Sequence, residues 1–295
     1  MKLPVTVVSG YLGAGKTTLI NHLLRNANGR RLAVLVNEFG DLSIDEDLIE
    51  AEEDGLMSIS GGCVCCAFGG DMIGVLEDIR DSTPGFDHVL LEASGVALPG
   101  SIMATVGFVE GLRADASVVL ADAEQIRRNA TNKYLSDTVL RQLEQADILL
   151  LTKTDLVSDS ALAEVEVWLK SRAPRARMHH AVHGALPLEA VVGAIPLAAR
   201  HTTTPMAKSS FKSTVLAPQG PVNAETLARA LAETEAITRA KGYVPTDDGL
   251  ALIHVVGPRY EVERADGQHE IGVVCIGPSA LFEAEPLHET LGVAS

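Results

Sequence analysis

Cysteine is scarce in this 295-residue chain: there are four, and three of them fall inside Cys63-Val64-Cys65-Cys66. So sparse a set does not read as the disulfide framework of a secreted scaffold. Basic residues are also short, 24 Lys and Arg against 39 Asp and Glu, for a formal net charge of −15. An acidic surface repels phosphate backbones, which argues against nucleic acid as the main partner. No apolar run reaches the length of a bilayer span, which argues against a membrane role. The opening MKLPVTVVSG has only a brief apolar run before glycine, unlike a signal peptide. The expected location is cytoplasmic, where thiols stay reduced and a tight cysteine cluster points to metal binding or redox work.

What is present is an alternation of short β-rich runs and amphipathic stretches. VTVVSG (5–10), RLAVLVNEFG (31–40, running into a loop), HVLLEASG (88–95), ASVVLADA (116–123), ADILLLTKTD (146–155) and MHHAV (178–182) read as strands. TTLINHLLRNA (17–27), residues 71–81, SDTVLRQLEQA (136–146) and SALAEVEVWLKSR (160–172) read as helices. Strands separated by helices predict an α/β domain whose mostly parallel sheet is covered on both faces. This domain is expected over 1–194. Residues 195–208, with two prolines and three consecutive threonines, read as a linker. Residues 209–295 are expected to form a small α+β domain with strands at 210–216, 237–244, 250–256 and 270–277, and helices at 223–236 and 278–291.

GYLGAGKT, Gly10–Thr17, is a phosphate-binding loop placed between a strand and a helix. Its glycines let backbone amides turn inward, and the helix N-terminus adds partial positive charge. Gly10, Gly13, Ala14, Gly15, Lys16, Thr17 and Thr18 form the expected nucleotide cradle. Lys16 reaches the terminal phosphates and Thr17 binds Mg²⁺. Glu92 ends a buried strand in LLEASG, where its carboxylate can hold the Mg²⁺ shell or a water near the γ-phosphate. Gly95 offers a backbone amide to sense that phosphate. LLLTKTDL places Thr152, Lys153 and Asp155 after another strand. A carboxylate at Asp155 suits the paired donors of guanine, so the nucleotide is expected to be GTP.

Three thiolates at Cys63, Cys65 and Cys66 suit a soft or borderline ion such as Zn²⁺, Co²⁺ or Cu⁺. They leave one tetrahedral position for a further ligand or a recipient. A thiol redox switch and simple packing are the competing readings of the same cysteines.

GYLGAGKTTLINHLL (10–24), VNEFGDLSID (36–45), GGCVCC (61–66), EASG (92–95), TKTD (152–155) and ITRAKGYV (237–244) occur here in order. In this set the chain resembles the CobW-like metallochaperone family of P-loop GTPases over nearly its whole length. The resemblance implies a GTPase domain followed by a C-terminal domain of the CobW type. It implies Mg²⁺-dependent GTP hydrolysis coupled to handling of a transition metal, Zn²⁺ or Co²⁺, at the Cys-x-Cys-Cys motif, and delivery to a client metalloprotein. It puts Glu38 and Asp41 in a nucleotide-responsive switch, Glu38 joining Lys16 and Glu92 in the catalytic set, and makes Cys63, Cys65 and Cys66 the metal ligands. GTP is then expected to order residues 37–45 and tighten the thiolate site, and hydrolysis to loosen it. Two alternatives from other classes are a regulatory GTPase with a redox switch and a metal buffer for which nucleotide is a structural ligand.

The chain departs from the family pattern in three places. Thr152 stands where many members have Asn, Leu98 precedes Pro99 where Asp is frequent, and the histidine-rich stretch before the second domain is reduced to His201. Cys275, in the apolar run GVVCIG, reads as core. His179, His180 and His183 read as a strand end or base-side loop, and the acidic run at 44–55 as a solvated face.

Overall fold

Runs such as LAVLV, HVLLE and ILLLT are too short for a stable helix and buried at every position, as strands covered on both faces must be. In the computed structural model they are central strands of one sheet. The structure describes residues 2–36, 49–53, 56–59, 63–67, 72–83, 85–192, 211–279 and 281–282; for 49–53, 56–59 and 63–67 it describes the backbone only. In chain order the first unit contains β1 (Leu3–Gly10), α1 (Lys16–Arg25), β2 (Leu32–Val36), β3 (Ile49–Glu53), β4 (Leu56–Ile59), β5 (Cys63–Ala67), α2 (Met72–Asp81) and β6 (His88–Glu92). It continues through α3 (Pro99–Phe108), β7 (Leu112–Asp122), α4 (Ile126–Thr131), α5 (Ser136–Glu144), β8 (Ile148–Thr152), α6 (Asp159–Arg172) and β9 (Arg177–Ala181).

Strand order is β3-β4-β5-β2-β6-β1-β7-β8-β9. The stretch from β5 to β9 is parallel throughout, and β3 and β4 are added antiparallel at one side. Part of the acidic run read as a solvated face thus forms β3. Val5, Leu35, Val89 and Leu91 pack with Leu76 and Ile79 of α2 and Val106 of α3. Val119, Ala121, Leu149 and Leu151 pack with Ile126, Val139, Leu143, Val165 and Leu169 of α4 to α6. The alternate residues Val8, Val34, Leu90, Val118 and Leu120 are equally buried, and α1 packs against β1 and β6. Both faces are therefore covered, as the alternation in the sequence predicts.

One irregularity crosses the centre of this sheet. Val5 pairs with Ala114 but Thr6 pairs with Ala116, so Asp115 is an extra residue in β7. Such a bulge re-aims a side chain. Here Asp115 accepts a hydrogen bond from Thr6 Oγ1 at 3.2 Å and pairs with Arg113 at 3.2 Å. Thr6 Oγ1 also meets His88 Nε2 at 2.8 Å.

A second compact unit begins at Pro187. It holds α7 (Leu188–Val192), β10 (Phe211–Leu216), α8 (Ala224–Glu233), β11 (Arg239–Thr246), β12 (Gly249–Val256), β13 (Arg259–Ala265) and β14 (Gly272–Pro278). Its antiparallel sheet, ordered β10-β14-β11-β12-β13, carries α8 over a core of Leu227, Leu231, Ile253, Val255 and Val273. Asn223 caps α8 by accepting from the Thr226 amide at 2.9 Å. Arg239, buried in β11, donates from Nε to the Ala190 carbonyl at 2.8 Å and from Nη2 to that of Val191, at the end of α7. Cys275 lies in this core as expected; burial pushes its thiol up to about 12. The strand β13 has no counterpart in the sequence reading. The expected linker at 195–208 lies outside the described residues, as does most of the expected helix at 278–291, whose first residue, Pro278, ends β14. Among the described residues no helix is long and apolar enough to cross a membrane.

Candidate functional site

The C-terminal ends of parallel strands are where an open α/β sheet gathers loops for ligand binding. Four such ends, those of β1, β6, β7 and β8, bring the sequence-predicted nucleotide residues together. After β1 the chain turns at Tyr11–Ala14, with the Ala14 amide donating to the Tyr11 carbonyl at 3.1 Å, and enters α1. Gly15 is the N-cap of α1 at φ 95°, a left-handed conformation that a side chain resists. With glycine there, no capping side chain competes with a phosphate for the first amides of the helix.

Lys16 is 6% exposed, and its ammonium donates to the Gly10 carbonyl at 3.1 Å, inside its own loop. Thr17 Oγ1 donates to Glu92 Oε1 at 3.1 Å, joining α1 to the end of β6. Glu92 itself is 3% exposed. A hydroxyl beside a buried carboxylate is an all-oxygen donor set, which fits a hard ion such as Mg²⁺. Beyond Glu92 the Ala93–Leu98 segment returns across the phosphate loop. A β-carbon on Gly95 would stand 2.8 Å from the Leu12 amide nitrogen and 2.6 Å from its side chain, so only glycine fits this approach.

On the base side, Thr152 Oγ1 donates to the Ala14 carbonyl at 2.9 Å and lies 3.3 Å from that of Ala121. The residue that replaces Asn thus fastens the end of β8 to the phosphate loop. Lys153 follows at φ 55°, a strained conformation for a residue with a side chain. Its ammonium meets Asp122 Oδ2 at 2.6 Å, while Asp122 Oδ1 accepts the amides of Glu124 at 2.9 Å and Gln125 at 3.2 Å. Asp122 is a positioning residue that sequence reasoning passed over; its place at the end of a buried strand, level with Thr152, was the available signal. Asp155 sits in the short 3₁₀ turn Thr154–Leu156 and is exposed, open to a ligand.

The cysteines lie in β5. Cys65 pairs with Val34 and Cys66 with Leu35 of β2, while Val36 pairs with both Ala67 and Glu92. Cys66 is therefore one register row from Glu92 and two strands away, roughly 10 Å at ordinary strand spacing. The roles expected of Glu38 and Asp41 lie outside the described residues, as do the thiol side chains. The histidines do not form a centre: His180 Nε2 contacts Glu166 Oε1 at 2.8 Å, and His179 is buried in β9. Burial first, then the charges of Arg177 and His180, lower the His179 pKa to about 4. Among the described residues no group of three or more His, Cys, Asp or Glu is arranged to hold a metal.

Comparison with known proteins matches residues 4–180 to the family "CobW/HypB/UreG, nucleotide-binding domain" and residues 211–291 to "Cobalamin synthesis protein cobW C-terminal domain". A relative named zinc chaperone CobW from Pseudomonas aeruginosa is 34% identical over 65% of this chain and 60% of its own length. Another of that name, from Sinorhizobium, is 32% identical over 59% of this chain and 57% of its own. The matched segments thus span less than two thirds of these relatives. The crystal structure of the Zn(II)-bound YjiA GTPase from E. coli aligns over 100% of both chains, at 26% identity and a TM-score of 0.52.

Proposed function

Because this chain belongs to the CobW/HypB/UreG family of nucleotide-binding proteins, we propose that it is a GTP-hydrolysing metallochaperone that loads a transition metal at Cys63, Cys65 and Cys66 and passes it to a client metalloprotein under nucleotide control. Zinc is the favoured cargo, since the relatives are named zinc chaperones and the aligned E. coli GTPase was crystallised with Zn(II). Cobalt, equally suited to thiolates, is the main competitor.

The observation that carries this reading is the register of one sheet. Cys66 and Glu92 stand one row and two strands apart in the same hydrogen-bonded ladder. A change in how Glu92 and Thr17 are engaged is felt within roughly two strand spacings of the thiols. Lys16 would leave the Gly10 carbonyl for the β- and γ-phosphates, and Asp155 would accept from the guanine edge. Mg²⁺ beside Thr17 and Glu92 would offset the charge of the phosphate oxygens. Residues 37–45, which follow β2, would respond to the γ-phosphate. Coupling of this kind is reciprocal: whatever GTP does to metal affinity, metal must do to GTP affinity.

Anaerobic Zn²⁺ and Co²⁺ titrations, with a non-hydrolysable GTP analogue or GDP bound, test the proposal. Metal affinity is expected to be at least about fivefold tighter with the analogue, the lower end of ordinary coupling. Lys16→Ala is expected to abolish hydrolysis. Cys66→Ala is expected to spare nucleotide binding and weaken metal binding. Equal affinity in both nucleotide states would sink the coupling, and reduced protein that binds no metal through its thiols would leave a redox-sensing GTPase.

A further inference from the structure

Two glutamines, one in α5 and one at its C-cap, hold the segment that follows Glu92. Gln142 is 1% exposed, and its Nε2 donates to the carbonyls of Gly95 at 3.2 Å and Ala97 at 2.8 Å. Gln145, just past the end of the helix, accepts the Gly100 amide on Oε1 at 2.9 Å. Gly100 is the second residue of α3, whose N-cap, Leu98, makes no side-chain capping bond. The cap that an Asp at position 98 would supply from within the chain is supplied here from another helix. Both amides thus act on one stretch of six residues, 95–100, which starts against the phosphate loop at Leu12.

The chemistry of the pair is specific. A primary amide carries both donors and an acceptor, and here the two glutamines use opposite ends. A buried amide with two donated bonds is not easily replaced, because removal leaves two carbonyls unpaired. Fixing the carbonyls of Gly95 and Ala97 limits rotation of the peptides around Gly95, the residue expected to meet a γ-phosphate. A loop set in advance needs little reorganisation when the third phosphate arrives, and this is where a positioning group contributes to rate.

We infer that Gln142 and Gln145 are positioning residues for the hydrolytic step. They set the Gly95 segment so that a triphosphate is distinguished from a diphosphate. The inference rests on the GTPase reading above and adds the part played by α5.

The test compares Gln142→Leu, Gln142→Glu, Gln145→Leu and Gln145→Glu in the full chain. Two quantities are read: kcat for GTP, and the affinity of a non-hydrolysable GTP analogue relative to GDP. Losing the donated bonds at position 142 is expected to lower both by about tenfold, with GDP affinity held within about twofold. Glu at 142 is expected to fail as Leu does, because a carboxylate cannot donate. At position 145, Glu keeps the acceptor and is expected to retain wild-type values, whereas Leu loses several-fold. A merely structural role would move melting temperature and GDP affinity together and leave the analogue-to-GDP ratio unchanged. An unchanged analogue-to-GDP ratio in Gln142→Leu, or equal impairment by both substitutions at 145, would overturn the inference. Should position 142 tolerate no change, the pair at 145 decides. The affinity ratio is readable without turnover, so wild-type protein that hydrolyses no GTP would defeat the GTPase reading separately from this one.

Discussion

Thr152 carries a single hydroxyl proton, and the Ala14 and Ala121 carbonyls already claim it. An asparagine there would bring two N–H donors; threonine has none left for the ring N7 of a purine. Replacing N7 by C–H, as in 7-deaza-GTP, is therefore expected to change affinity less than about twofold. Removing the exocyclic amine, as in ITP, deletes a donor to Asp155 and is expected to cost about tenfold. Competition of both analogues against labelled GDP checks this, and a marked preference for GTP over its 7-deaza form would reveal another donor at N7. At this scale the phosphate loop was legible, because its residue spacing is itself the geometry. The turn that carries Asp155 was legible from TKTD after an apolar run, while its contact with the base belongs to the proposal. Asp122, Gln142 and Gln145 were not: each acts on residues about 30 to 47 positions away, and no local pattern marks a side chain for a distant carbonyl or ammonium.

At the scale of elements, apolar runs announced β1, β2, β6 and β8, while β13 went unread because RYEVERA is mostly charged. Its Tyr260 and Val262 alternate toward the second core, a period of two that the charged residues obscured. The acidic run hid β3 for the same reason. The bulge in β7 had no outward sign: the strand was read from Ala116, and Asp115 just before it carried no mark of an extra residue. Yet it turns Asp115 into a buried carboxyl group held by Arg113 and Thr6. Asp115→Ala strands Arg113 and is expected to lower stability by about 3 kcal/mol, whereas Asp115→Asn, which keeps an acceptor, is expected to lose less. Urea unfolding of both variants at neutral pH measures the difference; equal losses would show that the bulge backbone, not the carboxylate, matters.

At the scale of the whole chain there are two compact units, each with its own sheet. Leu231, a fully buried residue of α8, belongs to the core of the second. Leu231→Ala is expected to destabilise that unit by about 3 kcal/mol and to leave GTP affinity unchanged, because every nucleotide residue named above lies in the first. Denaturation together with nucleotide titration checks the separation, and a parallel fall in GTP affinity would contradict it.

The two strands added outside β5 have a consequence for exchange of cargo. Cys63–Ala67 is bonded to β2 on one side and β4 on the other, and the outermost strand on that flank, Ile49–Glu53, includes three glutamates. If a client takes metal there as proposed, it would not do so by laying its own backbone alongside β5, since both sides of that strand are already paired, and the glutamates of the outermost strand discourage such zippering further. Under the proposed function, handover would then come from above the sheet or from the tip of the strand, and an acceptor would present donor atoms on a protruding loop rather than an extended segment.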